Sequence, residues 1–178
     1  MNKDIIKLLK TKNIRNTFII LAITIVLLLI NSLIPNSGVI NNDREDLYTV
    51  NKVIDGDTIE VVKGNEVLKI RYIGVDAPET VKPNSPVECF GKEASEFNKN
   101  LVLNKKVRLE SDIEDVDRYG RKLRYVYLED NQMVNKTLIE QGYAYMLTIP
   151  PNVKYKDIFL QSERYARNNK VGLWDKCK

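Results

Sequence analysis

The chain is expected to fold as an α+β domain, a five-stranded barrel with three helices, behind an apolar N-terminal segment. Three observations carry that expectation. Strand-like runs come in a group of three and then a group of two, with helical spacing after each group. Gly, Asp, Asn and Pro cluster between those runs, where turns and loops are needed. A basic stretch precedes an apolar run near the N-terminus.

The apolar segment comes first. Residues 1–16 carry Lys3, Lys7, Lys10, Lys12 and Arg15 against Asp4 alone. From Phe18 to Ile30 the only polar side chain is Thr24. Counting on through Leu33 and Ile34 gives about 17 residues, near the short limit for a helix that spans a bilayer. Basic residues ahead of such a run keep the N-terminus in the cytoplasm. The chain beyond Pro35 is therefore expected outside the cell membrane. Residues 17–34 read as a single-pass transmembrane anchor, or as a signal peptide whose removal would leave the domain secreted. "NSLIPNSG" offers small residues but no Ala-x-Ala cleavage pattern. A buried core helix is the bland alternative, and the basic flank and missing polar face speak against it. Residues 35–46 are polar and form a linker, and 47–178 are the folded domain.

The formal net charge of +4 belongs to the N-terminus. Without residues 1–35, the remaining chain has as many acidic as basic side chains. Binding to nucleic acid would need positive charge focused at a site. The chain has no histidine. That excludes Ser-His-Asp and Cys-His centres, a histidine base and any His-ligated zinc. Its two cysteines, Cys89 and Cys177, are expected to pair in an exported domain, which would tie the C-terminal tail to the start of a mid-chain helix. The alternative is two separate buried thiols.

The elements run in order from Leu47. "LYTVNKVI" alternates, "DGD" turns, and "TIEVV" resumes a strand. "KGNE" turns again, and "VLKIRYIGV" is a third strand. Pro78, Pro83 and Pro86 make residues 77–87 a loop. "CFGKEASEFNKNLVL" has apolar residues at 90, 94, 97 and 101, a helical spacing. "KVRLESDI" and "LRYVYLE" are two more strands around "EDVDRYGRK". "MVNKTLIEQG" is a short helix with Gly142 as its C-terminal cap. "KYKDIFLQSERYARNNK" is a last helix, with 155, 158, 159 and 165 expected inward. Five strands with a helix after the third is the order of an OB barrel.

The chemistry centres on "KIRYIGVDAPET". Asp57 closes the first hairpin turn and Asp76 ends the third strand, positions that can meet at one rim of a small barrel. Two carboxylates, a backbone carbonyl and waters suit calcium and not zinc. "DVDRYG" resembles the start of an EF-hand loop but fails, with Tyr119 and Val126 at ligand positions. Glu79 comes three residues after Asp76, with Pro78 stiffening the link, close enough to orient or deprotonate a water. Arg71 and Asp76 would face opposite sides of a regular pleat; a bulge at Gly74 would bring both to the rim. Arg121 tips the loop between the last two strands. Two arginines beside such a site form a clamp for a phosphodiester. Taken singly, each of these residues is more often a solvated turn residue; the constellation carries the weight.

From Tyr48 to Trp174 the chain resembles the staphylococcal (thermonuclease) nuclease family. The matching runs are "VIDGDT", "RYIGVDAPE", "GKEAS", "DRYGRKL", "MVNKTLIEQG" and "GLW", in the family's order. The resemblance implies an OB-type barrel and a calcium-dependent endonuclease that cleaves DNA and RNA to products ending in 3′-phosphate. It implies Asp57, Asp76 and the Ala77 carbonyl as calcium ligands and Glu79 as general base or water-orienting residue. Arg71 and Arg121 would bind the phosphate and stabilise the transition state, with Arg118 and Tyr119 near a terminal phosphate. The family often has Thr where this chain has Ala77, a change that keeps the carbonyl. The aromatics expected after "EQG" are displaced, with Thr148 and Pro150 near where Tyr would sit and Tyr143 or Tyr145 as substitutes. A monomer is expected, acting on DNA and RNA and held to the membrane by the N-terminal helix. The competing reading is a barrel that binds nucleic acid or a peptide without cleaving it; keeping Arg71, Glu79, Arg121 and both aspartates argues against that. A calcium-stabilised adhesin would explain the aspartates but give the arginines no task.

Overall fold

Three short runs rich in β-branched residues, separated by tight turns, form an antiparallel meander at the start of the folded domain. The computed structural model describes residues 24–26, 47–80 and 87–177. The chain divides into two units, Met1–Asn42 and Asp43–Lys178. In the first, residues 24–26 are helical; the rest of the expected membrane segment, the basic N-terminus and the linker lie outside the described residues. Among the described residues no helix is long and apolar enough to cross a membrane.

In the second unit, β1 (Leu47–Val53), β2 (Thr58–Lys63) and β3 (Glu66–Tyr72) form the meander. A two-residue strand, β4 (Val75–Asp76), and helix α1 (Gly91–Val102) come next. β5 (Lys106–Glu110) pairs with β1, and β6 (Lys122–Leu128) pairs antiparallel with β5 and parallel with β3. The order β1-β2-β3-β6-β5 thereby closes on itself. Closure leaves no barrel strand edge unpaired. The expected five-stranded barrel and its placement of the first helix are what the structure contains. Val50, Ile59, Val61, Ile70, Val107 and Val126 fill the interior with no solvent exposure. Each contributes about 1.5–3 kcal/mol of burial free energy before entropy is set against it.

Helix α2 (Val134–Glu140) ends at Gly142, whose φ of 68° is the left-handed cap conformation glycine favours. A Cβ there would also stand 2.1 Å from the Val171 carbonyl oxygen. β7 (Tyr145–Met146), α3 (Lys156–Asn168) and the short α4 (Leu173–Lys176) complete the fold.

Three expectations are corrected. The third strand does not run to Val75. It stops at Tyr72, the chain turns through Gly74 at φ 78°, and β4 pairs instead with β7. Phe159 lies against Gly74, 2.3 Å from where a Cβ would sit, so only glycine permits the turn. The last long helix buries Phe159, Ser162 and Ala166, whereas Ile158 and Tyr165 are exposed. And the described residues of this unit form four helices, the fourth a single turn.

Cys89 and Cys177 are joined in a disulfide, with Cα atoms 5.9 Å apart and a sequence separation of 88. The bridge ties the chain end to the loop entering α1. Cys177→Ser is expected to lower stability by roughly 2–4 kcal/mol under oxidising conditions. A chemical-denaturation midpoint equal to the parent's would contradict that.

Candidate active site

Two turns and one interrupted strand build the site. In "DGD" the Asp55 carboxylate accepts the Asp57 backbone N–H at 3.0 Å, folding the turn on itself. Buried Asn98 of α1 donates to the Asp55 carbonyl and accepts from the Tyr72 hydroxyl, pinning the turn from beneath. Gly56 lets the turn approach the next segment closely: a Cβ would stand 2.5 Å from the Ala77 Cβ. So the turn that carries Asp57 rests directly on the segment that carries Asp76 and Ala77.

The contact is also polar. The Asp57 carboxylate accepts the Ala77 N–H at 2.9 Å and the Thr58 hydroxyl at 3.0 Å. Burial pushes its carboxyl up, to about 7, although the neighbouring Arg71 guanidinium pulls it down. Thr58 stands opposite Arg71 across the β2–β3 pair. From there the Arg71 guanidinium reaches Asp57 at 2.6 Å, Asp76 at 3.3 Å and the Val75 carbonyl at 2.8 Å. The break at Gly74 makes this possible, because it swings Val75 and Asp76 back over the end of β3. Asp57 is buried, while the Asp76 side chain is 55% exposed.

Arg121 stands just ahead of β6, the parallel neighbour of β3. Its Nη1 donates to the Thr58 hydroxyl at 3.4 Å, so the two arginines are linked through Thr58 and Asp57. A cleft of about 460 Å³ opens between them, lined by Asp57, Arg71, Asp76, Ala77, Glu79 and Arg121. Glu79 is half-buried at its edge. Its backbone is held in both directions by Glu88: the Glu88 carboxylate accepts the Glu79 N–H, and the Glu88 N–H donates to the Glu79 carbonyl, each at 3.0 Å.

The sequence profile of the family described as "Staphylococcal nuclease homologue" matches residues 69–176. The chain belongs to the staphylococcal nuclease family. It is 43% identical to the thermonuclease of Staphylococcus intermedius over 93% of this chain and 99% of that protein. It is 46% identical to the thermonuclease of Staphylococcus hyicus, over 78% of this chain and 81% of the relative. Endonuclease YncB of Bacillus subtilis shares 44% identity over 72% of this chain and 61% of its own length.

Within this nuclease-family fold, Asp57, Asp76, Ala77, Glu79, Arg71 and Arg121 share one cleft. Tyr119, 68% exposed, lines it too and also lines an adjoining cleft of about 380 Å³. Arg118 lines only the adjoining cleft, where it donates to the Tyr119 hydroxyl at 2.7 Å and lies over the Tyr119 ring. Tyr143 and Tyr145 line neither cleft. Tyr143 stacks on Phe97 with ring centroids 3.9 Å apart, and Tyr145 meets Trp174 edge-on. The adjoining cleft is walled instead by Leu147, Ile149 and Leu123.

Sequence reasoning missed Asp55, Thr58, Asn98 and Asp117. Asp117 accepts N–H groups from Tyr119 and Arg121, and its carboxyl sits below the ordinary range: burial opposes ionisation, but the Arg121 backbone and side-chain donors and the Tyr119 N–H outweigh it. Asp55 and Asp117 were visible as Asx-turn candidates two residues before a backbone donor. Nothing in the sequence pointed to Asn98.

Proposed function

We propose that the chain is a calcium-dependent endonuclease that hydrolyses DNA and RNA to products ending in 3′-phosphate, acting outside the cell. The observation that carries the reading is the pair of arginines lining one cleft, Arg71 held by both aspartates and Arg121 linked to it through Thr58 and Asp57. Each guanidinium can meet phosphate oxygens and offset charge as the transition state forms. Relatives named thermonuclease and endonuclease support the same chemistry.

The donor set fits calcium. Asp57, Asp76 and the Ala77 carbonyl offer oxygen alone, which suits a hard cation and not zinc. Among the described residues no cluster of three or more acidic, cysteine or histidine side chains is placed to hold an ion. Two carboxylates and a carbonyl fall short of the roughly 6–8 oxygens calcium takes, so water and phosphate oxygens would complete the set. When bound, calcium supplies positive charge against the phosphate and orients it. The chain's own residues do the rest. Arg71 and Arg121 both hold the phosphate. Glu79, at the cleft edge on a backbone fastened to Glu88, orients an attacking water or takes its proton. The water oxygen bonds to phosphorus as the P–O5′ bond breaks, and the leaving 5′-oxygen takes a proton from solvent water. Attack in line with that bond leaves a 3′-phosphate on one fragment and a 5′-hydroxyl on the other.

The basic N-terminus and apolar run favour a domain outside the cell, as a single-pass membrane protein or, if the segment is cleaved, as a secreted monomer. End-group analysis tests the reaction. An oligonucleotide digested with calcium should give fragments whose 3′ ends become extendable only after phosphatase treatment. Fragments bearing 5′-phosphate would overturn the proposed bond cleavage.

A further inference from the structure

The loop "DVDRYGR" carries Arg118, Tyr119 and Arg121, yet its acids have no part in the proposed reaction. One of them does two separate jobs with its two oxygens. Asp117 Oδ1 accepts the backbone N–H of Tyr119 at 2.9 Å and of Arg121 at 3.0 Å. Asp117 Oδ2 accepts the Arg121 side-chain Nε–H at 2.6 Å. The loop is closed again by the Asp117 N–H on the Arg121 carbonyl and the Gly120 N–H on the Asp117 carbonyl, each at 3.0 Å. One oxygen therefore folds the turn, and the other grips the arginine.

The grip has a geometric consequence. A guanidinium meets a phosphate bidentately through either its Nε–Nη edge or its Nη–Nη end. With Nε on Asp117, the side edge is occupied. Nη1 is turned toward the Thr58 hydroxyl at 3.4 Å. Each Nη carries two N–H groups, so the Nη–Nη end keeps donors beyond the Thr58 contact, on a side chain that lines the cleft. The Arg121 side chain is 27% exposed and that of Asp117 17%, so the pair is only partly screened by water. We propose that Asp117 is the positioning residue for Arg121, fixing the guanidinium end-on toward the scissile phosphate. It touches neither substrate nor ion and acts through Arg121. The inference rests on the nuclease reading.

The two oxygens allow a selective test. Asp117→Asn keeps one oxygen for the turn but sets an amide N–H₂ against Arg121 Nε–H. In the full chain with calcium, on a short single-stranded DNA, Asp117→Asn is expected to lower kcat about 10- to 100-fold, the cost of a misplaced catalytic group. KM should change by less than about threefold, as for an interaction felt in the transition state. In an Arg121→Lys background the same change should cost less than about twofold, because there is no guanidinium left to orient. The Arg121 Nε–H signal in ¹⁵N NMR should move to the position of solvent-exposed arginines in Asp117→Asn and not in Asp115→Asn. Parental kcat in Asp117→Asn, or an undiminished loss in the Arg121→Lys background, would overturn the inference while leaving the nuclease reading intact. An inactive parent, or a fully active Arg121→Lys, would instead sink the role given to Arg121 in that reading. The Nε–H signal would still decide whether Asp117 holds the side chain.

Discussion

Glu79→Gln is expected to lower turnover by roughly 10²- to 10⁴-fold, the range for losing a positioned acid–base group. Gln keeps the size of the side chain, and the backbone around it stays fastened to Glu88 through both hydrogen bonds. Asp57, Asp76 and Ala77 are unchanged, so calcium affinity should stay near the parent's. KM should move little. Single-turnover kinetics with calcium titrations of parent and variant would check both halves. Parental turnover in Glu79→Gln would remove Glu79 from the mechanism. A large loss of calcium affinity would make it a ligand rather than a water-directing group.

Arg71→Lys should be nearly as damaging, lowering kcat by about 10²- to 10³-fold, the cost of removing one donor from a developing oxyanion. The substitution keeps the charge but not the fork. Arg71 meets Asp57, Asp76 and the Val75 carbonyl together, and one ammonium on a flexible stem cannot reproduce that spread of donors. It also holds the buried Asp57 carboxylate, whose loss of a partner costs stability. A thermal melt should therefore fall by the equivalent of about 1–3 kcal/mol, the penalty of an under-satisfied buried polar group. Turnover close to the parent's would mean that Arg71 serves the fold alone.

These expectations were legible in the sequence to different depths. The barrel was readable because β1, β2, β3, β5 and β6 are rich in β-branched and aromatic residues and turn residues separate them. β4 and β7 were not, because a two-residue strand has no period to detect. The same stretch hid how Arg71 and Asp76 meet. A regular strand would have set them on opposite faces; the turn at Gly74, enforced by Phe159, returns Asp76 over the end of β3. In α3, the apolar positions 155, 158, 159 and 165 suggested one face. The buried face instead runs through Phe159, Ser162 and Ala166, and a small polar Ser gives no hydrophobic signal. The charged residues of the cleft stood out as types in a pattern. Their supports did not. Asn98 is buried in α1 and reaches the Asp55 turn from 43 residues away, a pairing only the fold creates. The N-terminal segment was readable as an apolar run with basic flanks, and nearly all of it lies outside the described residues.

A digestion of single-stranded DNA and of RNA by the full chain asks whether cleavage depends on calcium. Each substrate is incubated under oxidising conditions with calcium, and in parallel with a calcium chelator. Fragmentation of both substrates is expected with calcium, and intact substrates with chelator. Cleavage that persists undiminished in chelator would contradict the metal role given to Asp57, Asp76 and Ala77. Intact substrates with calcium present, from a folded chain, would show instead a barrel that binds without cutting.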